Sequence, residues 1–526
     1  MPHASRQPAR WTTPTRLALW ALSALVAAAV LLPTVYLFVR AAGADPQVWA
    51  GLLRTRTLEI LGRTLLLAAS VTAASIGVAV PLAWLTTRTD LPLRRAWSLI
   101  LPLPLVVPSY VSAYLFVSAF GPRGLLQGLL EAPLGVTRLP EIYGLPGAVV
   151  ILTLLSYPYV FLSTRAALLR MSPTLEESAR SLGEGAWSTF WRVTLPLLRP
   201  ALGAGGLLVA LYTLRDFGAV SLLRYDTFTR VLYVSYRSFD REGSALLALV
   251  LVVLTLVVLG FEAWLLRRVT QPTASATRPP RILPLGSWRW PAFLFTLGVA
   301  FLSLFLPAGL LLYWLIRGLN SGETLMALGG ATWNSLLGSG LAAALAVAAA
   351  LPVAILSVRY PGRLTRLIER LTYASFALPG IVIALALVFF GARQAPFLYQ
   401  TLALLVFAYA VLYLPQAVGA LRTTLLQIPP SLDEAARSLG RRPLQAFWEV
   451  TVPLLRPGLL AGASLVFLTA MKDLPATLIL APLGFDTLAT EVWSAVSEAF
   501  FARAAAPALL IVLMSSLPLA FFVGRD

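Results

Sequence analysis

Long apolar runs, each near the length of a bilayer core, alternate along this chain with polar segments. A spanning helix needs about 20 apolar residues. Runs of that kind predict spans at 17–39, 64–86, 97–120, 146–164, 200–217, 244–265, 291–316, 334–357, 372–391, 401–421, 457–480 and 505–523. The runs are continuous rather than alternating, which favours helices over a β-barrel. Residues 267–290 are polar and proline-rich and read as a linker. Six spans fall on each side of it. An even number inserts both halves the same way up, so 1–266 and 291–526 are predicted to form a parallel repeat rather than an inverted one. The fold class expected is all-α: a polytopic membrane protein of about twelve transmembrane helices in a six-plus-six arrangement.

The repeat is visible residue by residue. Pro81, Arg88 and Pro108 reappear as Pro352, Arg359 and Pro379, 271 positions later. Arg165 and Asp216 reappear as Arg422 and Asp473, 257 positions later. The drift is confined to one loop, where insertions are tolerated. The densest match is a polar segment. Leu175-Glu-Glu-Ser-Ala-Arg-Ser-Leu-Gly183 is followed by Phe190-Trp191, Val193-Thr194 and Pro196-Leu-Leu-Arg-Pro200. Leu432-Asp-Glu-Ala-Ala-Arg-Ser-Leu-Gly440 is followed by Phe447-Trp448, Val450-Thr451 and Pro453-Leu-Leu-Arg-Pro457, without a gap. A charged surface made twice between membrane spans predicts docking to a partner that comes in two copies.

Composition agrees with the spans. The chain has 526 residues, 58% hydrophobic and 12% charged, about half the charge of a soluble domain. The formal charge is +18, from 41 basic and 23 acidic residues. Such a balance often signals nucleic acid, but here most basic residues, Arg88, Arg94, Arg95, Arg267, Arg268, Arg359, Arg363, Arg366 and Arg370 among them, fall on one side of the predicted spans. That asymmetry predicts both termini and the linker in the cytoplasm, and no nucleic-acid partner. The first apolar run is too long for a signal-peptide core and reads as a retained span. There is no Cys, and His3 is the only histidine, which excludes thiolate and histidine metal sites. Lys472 is the only lysine.

Within the doubled segment, Thr174-Leu-Glu-Glu177 and Ser431-Leu-Asp-Glu434 fit a capping box. Gly183 and Gly440 stand where a left-handed residue would end each short helix. Capping alone would account for Glu177 and Glu434. It would not account for the recurrence of Ala179/Ala436 and Arg180/Arg437, whose small neighbours suit close approach by another protein.

The pattern Glu-x-Ala-x3-Gly-x9-Val-x-Leu-Pro resembles the EAA motif of ABC importer permeases. The first copy supplies Glu177, Ala179, Gly183, Val193, Leu195 and Pro196; the second supplies Glu434, Ala435, Ala436, Gly440, Val450, Val452 and Pro453. The departures are Ser178 in the first copy and Val452 in the second. The resemblance covers essentially the whole chain and implies the type I importer permease fold. It implies that each segment is a coupling helix seated in an ATP-binding subunit, with two such subunits and a substrate-binding protein as partners, in the bacterial inner membrane. The chain has no Gly-x4-Gly-Lys-Ser/Thr loop to cradle phosphates. It is therefore expected to bind no cofactor and to be no enzyme, with ATP and Mg on the partner.

A second element follows each coupling segment. Leu214-Arg-Asp-Phe-Gly-Ala219 matches Met471-Lys-Asp-Leu-Pro-Ala476. Helical rise places Arg215, Asp216, Lys472 and Asp473 in the outer half of the membrane. Ionisable groups there are candidates for a translocation path or gate, against the alternative of snorkelling anchors at helix ends. Gly218 and Pro475 are expected to break the helix just beyond. Further on, Tyr225-Asp226-Thr227 matches Phe485-Asp486-Thr487. These trios read as belt aromatics with helix N-caps, or as contacts for the binding protein. The same stretches are similar to the fused ferric-iron permeases, whose relatives carry thiamine, aminoalkylphosphonates or polyamines. Fe3+ wants hard oxygen ligands. Asp216, Asp473, Tyr212, Tyr225 and Asp226 are too few, and too near Arg215 and Lys472, to read as a tight metal site. A secondary transporter with parallel repeats is the alternative of another class; it would need carboxylates near the midplane, where the spans carry few.

Overall fold

The computed structural model describes residues 13–43, 45–52, 55–172, 174–267, 282–322 and 328–523. Among them, nine helices are long and apolar enough to cross a membrane, and eleven if two bent pairs each count as one span. The spans expected at 97–120 and 372–391 are these bent pairs. Arg94–Val106 and Ser109–Leu134 meet at 96°, and Arg363–Ser375 and Gly380–Gln394 at 98°. Pro108 and Pro379 sit at the two breaks, both extended, with ψ of 146° and 141°. Proline supplies no N–H and forces the residue before it out of the helical region, so a continuous span cannot form there. The expected span at 505–523 lies in the helix Phe501–Val523. Most of the linker expected at 267–290 lies outside the described residues.

The spans expected at 200–217 and 457–480 begin earlier than hydropathy indicates. Each continues backward through a π turn, Phe190–Thr194 in one half and Phe447–Thr451 in the other. Single π turns inside α-helices are uncommon and concentrate at functional sites. Both helices then run to the expected break, ending at Arg215 and Met471. Gly218 and Pro475 are the first residues of short helices beyond it.

Two compact bodies form, and they are not the two sequence halves. The first contains Met1–Ala44, Leu325–Glu491 and Leu513–Asp526; the second contains Asp45–Thr324 and Val492–Val512. In the first body the N-terminal helix packs on spans of the C-terminal half. Its buried positions Leu19, Ser23, Ala27, Val30, Leu37 and Ala41 form one stripe at helical spacing, and Tyr36 donates its hydroxyl to Phe389 O at 3.2 Å. In the second body the helix Leu306–Asn320 packs on spans of the N-terminal half, and Trp314 Nε1 donates to Ser118 Oγ at 3.0 Å. As packed bodies the sequence repeats thus trade their first spans.

Candidate functional site

Each doubled segment folds as a short helix, Thr174–Ser181 and Pro430–Ser438. Both end in the expected left-handed turn. Gly183 has φ +90° and Gly440 φ +87°. Glu184 N–H bonds Ala179 O at 3.1 Å and Gly183 N–H bonds Arg180 O at 3.0 Å; Arg441 and Gly440 repeat this on Ala436 and Arg437 at 3.1 and 3.0 Å. This double bond pattern is the Schellman motif. No atom lies within 4 Å of a Cβ added at either glycine. The constraint there is purely conformational, about 1–2 kcal/mol for an L side chain.

The capping boxes do not form as expected. The second helix is capped by Pro429 with no side-chain cap bond, and Pro430 takes its first turn. Proline is pre-shaped for that place, which pushes Ser431 inside the helix. In the first copy the Thr174 hydroxyl bonds Ser172 Oγ at 2.9 Å. Glu177 and Glu434 are exposed on the outer face instead. Ala436 is only 8% exposed and Ala179 is half-buried, so these small side chains admit the permease's own helices.

The inward carboxylates are the residues one place earlier, Glu176 and Asp433. Thr194 Oγ1 donates to Glu176 at 2.8 Å, and Arg88 Nη1 lies 3.7 Å from the same carboxylate. Thr451 Oγ1 donates to Asp433 at 2.5 Å, and Arg359 Nη2 lies 3.5 Å away. Thr194 and Thr451 are the last residues of the two π turns. Arg88 is 1% exposed and also donates to Leu168 O at 3.1 Å. Each tie therefore joins the end of one span, a coupling helix and the start of the next span. Sequence reasoning paired Arg88 with Arg359 as repeats but assigned neither a role. Their matched place at the end of the second span of each half was the available signal.

Leucines stand out on the opposite face. Leu182 and Leu439 are each 86% exposed, beside Leu175 at 49% and Leu432 at 41%. An apolar point on an otherwise polar helix, repeated at the same register, has the form of an interface anchor. Just beyond it the two copies reverse charge. Arg192 pairs with Glu184 at 2.8 Å, whereas Arg441 pairs with Glu449 at 3.1 Å. The Ser188 hydroxyl, and then Arg192, hold the Glu184 carboxyl below the usual carboxylate range.

About 30 Å of helix separates each tie from the second repeated element. Arg215 and Lys472 are half-buried there. Asp216 and Asp473 are 7% and 8% exposed, so they are not snorkelling anchors. Both carboxylates cap the short helices that follow. Asp216 Oδ1 accepts Ala219 N–H at 3.0 Å and Val220 N–H at 3.2 Å; Asp473 Oδ1 accepts Ala476 N–H at 2.9 Å. Asp473 also accepts the Tyr413 hydroxyl, at 2.6 Å, and borders a cavity of about 10 Å³ lined by Asn334, Ser335, Ser339, Tyr409 and Thr487 together with Met471 and Phe485. That volume is at the threshold for one water. At the matching positions of the first half, Arg63, Thr64 and Thr227 stay polar, while Ala68 and Leu152, in place of Ser339 and Tyr409, are apolar and buried.

The outer trios also differ from expectation. Tyr225 is 8% exposed and donates to Arg63 O at 3.1 Å, so it is a packed residue rather than a belt aromatic. Asp226 pairs with Arg230 and lies 3.9 Å from Arg63; Thr227, not Asp226, holds the N-cap position. Phe485 is half-buried and Asp486 exposed. Thr487 and Thr490 exchange backbone-to-hydroxyl bonds at 2.8 and 3.3 Å, which takes the cap from Asp486. A threonine takes the cap position where the aspartate was expected because each helix begins one residue later. Among the described residues no three His, Cys, Asp or Glu side chains are grouped to hold a metal.

Comparison with known proteins places this geometry. A model of binding-protein-dependent transport system inner membrane components matches residues 75–271 and again 340–524. The chain is 35% identical over 520 residues to the Fe(3+)-transport system permease protein FbpB 2 of Haemophilus influenzae, covering 98% of both chains. It is 27% identical over 444 residues to the ferric transport system permease protein FbpB of Actinobacillus pleuropneumoniae, covering 80% of this chain and 64% of that one. The molybdenum transport system permease protein ModB of Escherichia coli is 32% identical over 192 residues, which is 35% of this chain and 82% of that relative.

Proposed function

Because the chain belongs to the family of binding-protein-dependent transport system inner membrane components, we propose that it is the permease subunit, with two halves in one chain, of an importer that carries ferric iron. A separate ATPase, present in two copies, drives it, and a binding protein outside the membrane delivers the cargo. The chain is a multi-pass membrane protein; the asymmetry of its arginines supports both termini in the cytoplasm. The observation that carries the cargo is the match of both halves to an Fe(3+)-transport permease along 98% of each chain. The molybdenum relative aligns with 35% of this chain, about one half of the repeat, and so speaks less for its cargo. Membership of this family also sets aside the secondary transporter.

The two exposed helices support ATPase docking, with Leu182, Glu177 and Ser178 on one outer face and Leu439, Glu434 and Ala435 on the other. Asp216 and Asp473, with Arg215 and Lys472, are candidates for the path. Buried, hydrogen-bonded carboxylates suit transit of a cation better than tight retention of one. Tyr225, Asp226, Phe485 and Asp486 mark the end where a binding protein would dock, with Asp486 the exposed member.

The test is reconstitution of the full chain in liposomes with its ATPase and an iron-loaded binding protein. Ferric uptake should require ATP, and Leu182→Arg with Leu439→Arg should abolish stimulated hydrolysis while the purified permease keeps its thermal stability. Normal stimulation in the double variant would remove the docking assignment. Uptake of another cargo but not iron would correct the substrate.

A further inference from the structure

The repeat leaves one arginine without its matching carboxylate. In the second half, Arg422 Nε lies 3.0 Å from Glu369. The matching first-half residues are Arg165 and Ser98, so the arginine remains and the carboxylate does not. Arg165 Nε is buried and, among the described residues, has no hydrogen-bond partner. It lines a cavity of about 270 Å³ with Arg94, Arg95, Ser98, Thr86 and Leu169. Asp90, the nearby acid in sequence, is engaged elsewhere: its Oδ1 accepts Leu285 N–H at 2.8 Å. The Ser98 hydroxyl donates to Arg95 O at 2.7 Å.

A buried guanidinium N–H without an acceptor is costly, and an anion is what repays that cost. Three arginines around one cavity suit a phosphate group, which guanidinium recognises through paired N–H bonds. The volume is just under the roughly 300 Å³ of the smallest drug-sized sites, which fits one headgroup. Leu169 and Ile282, each 43% exposed, offer apolar surface in its lining. The cavity lies at the end of the spans that carries the coupling helices: Thr86 stands two residues before Arg88, which reaches Glu176. Basic pockets between spans at that level are where anionic headgroups bind.

We propose that Arg165, Arg94 and Arg95 form a binding site for the phosphate of an anionic phospholipid, present in the first half only because Glu369 fills its place in the second. The proposal rests on the membrane-spanning reading and not on the cargo.

The test uses the full chain, purified in detergent with the subunits that accompany it, and measures retained lipid by native mass spectrometry. The probes are phosphatidylglycerol, phosphatidylcholine and inorganic phosphate. Wild type should prefer phosphatidylglycerol over phosphatidylcholine. Arg165→Gln should cut that preference about fivefold, the worth of one arginine at an anionic surface. Ser98→Glu should cut it by at least as much, and Glu369 indicates that the fold tolerates glutamate at this register. An unchanged preference in both variants, with thermal unfolding intact, would overturn the site. Protection of Arg165 by inorganic phosphate alone, at millimolar concentration and without lipid, would overturn the lipid as its occupant. Normal ferric uptake with no lipid preference would sink this inference while leaving the transport reading in place.

Discussion

The two coupling segments and the two outer elements belong to the same repeat, yet they have diverged by different amounts. Arg88, Glu176 and Thr194 recur as Arg359, Asp433 and Thr451, with ion pairs of 3.7 and 3.5 Å and hydroxyl bonds of 2.8 and 2.5 Å. The closing glycines differ by three degrees, +90° against +87°. At the outer elements the scaffold still repeats: Thr64 Oγ1 accepts Phe228 N–H, and Ser335 Oγ accepts Leu488 N–H. The lining repeats only in part. Beside Asp473, which accepts a tyrosine hydroxyl, Ser339 and Tyr409 line a small cavity, where the first half has Ala68 and Leu152. Under the proposed function the difference has a cause. A partner that docks twice holds both surfaces to one geometry, while a cargo that passes once makes no such demand.

The largest effect is expected from breaking a tie. Arg88→Ala leaves Glu176 without its cation and Leu168 O without its donor, in a site 1% exposed. Removing one partner of such a buried pair costs about 3 kcal/mol. Arg359 is 11% exposed, so Arg359→Ala should cost about half as much. Thermal unfolding of the two purified variants checks this. Equal losses would mean that burial does not distinguish the halves, and no loss in either would mean the ties are incidental.

A smaller change sharpens the other side of the comparison. Asp216→Asn and Asp473→Asn each keep a side-chain oxygen for the helix cap, so stability should fall by no more than about 1 kcal/mol. Ferric uptake should fall in both and fall further in Asp473→Asn, because Asp473 borders the small cavity. Uptake equal to wild type in both variants would take the carboxylates out of the path and leave them as caps alone.

The spans, the repeat and the coupling segments were legible because hydropathy, proline placement and glycine chemistry are local signals. Gly183 and Gly440 needed only the rule that a left-handed residue ends a helix. The bends at Pro108 and Pro379 were hidden inside runs of unbroken hydropathy, which measures polarity and not direction. The ties were hidden for another reason. Glu176 and Glu177 are adjacent and chemically alike, and only the start of the helix decides which one faces the permease. Pro430 sets that start in the second copy, and a box pattern counted from Ser431 selects the wrong carboxylate. The exchange of first spans left no local trace, since one buried stripe does not say which half it packs against.

The smallest effect expected concerns the one place where the coupling segments disagree in sign. Glu184 and Arg192 occupy the places of Arg441 and Glu449, so the pair is present in both halves with its charges exchanged. Surface pairs of this kind contribute little. The double exchange Glu184→Arg with Arg192→Glu should therefore leave thermal stability unmoved. The wild-type pair has a pH signature. Ser188 and Arg192 lower the folded-state pKa of Glu184, so its contribution is present above the ordinary carboxylate value of about 4.3 and is lost as pH falls through the lowered one. Glu184→Gln should then differ from wild type at neutral pH and converge with it in acid. The informative readout is coupling. If identical ATPase copies meet both segments, they already tolerate both polarities, and the double exchange should leave stimulated ATP hydrolysis unchanged. A loss of stimulation with the fold intact would show that the partner distinguishes the two segments by charge, and the coupling end would no longer be the symmetric half of the comparison.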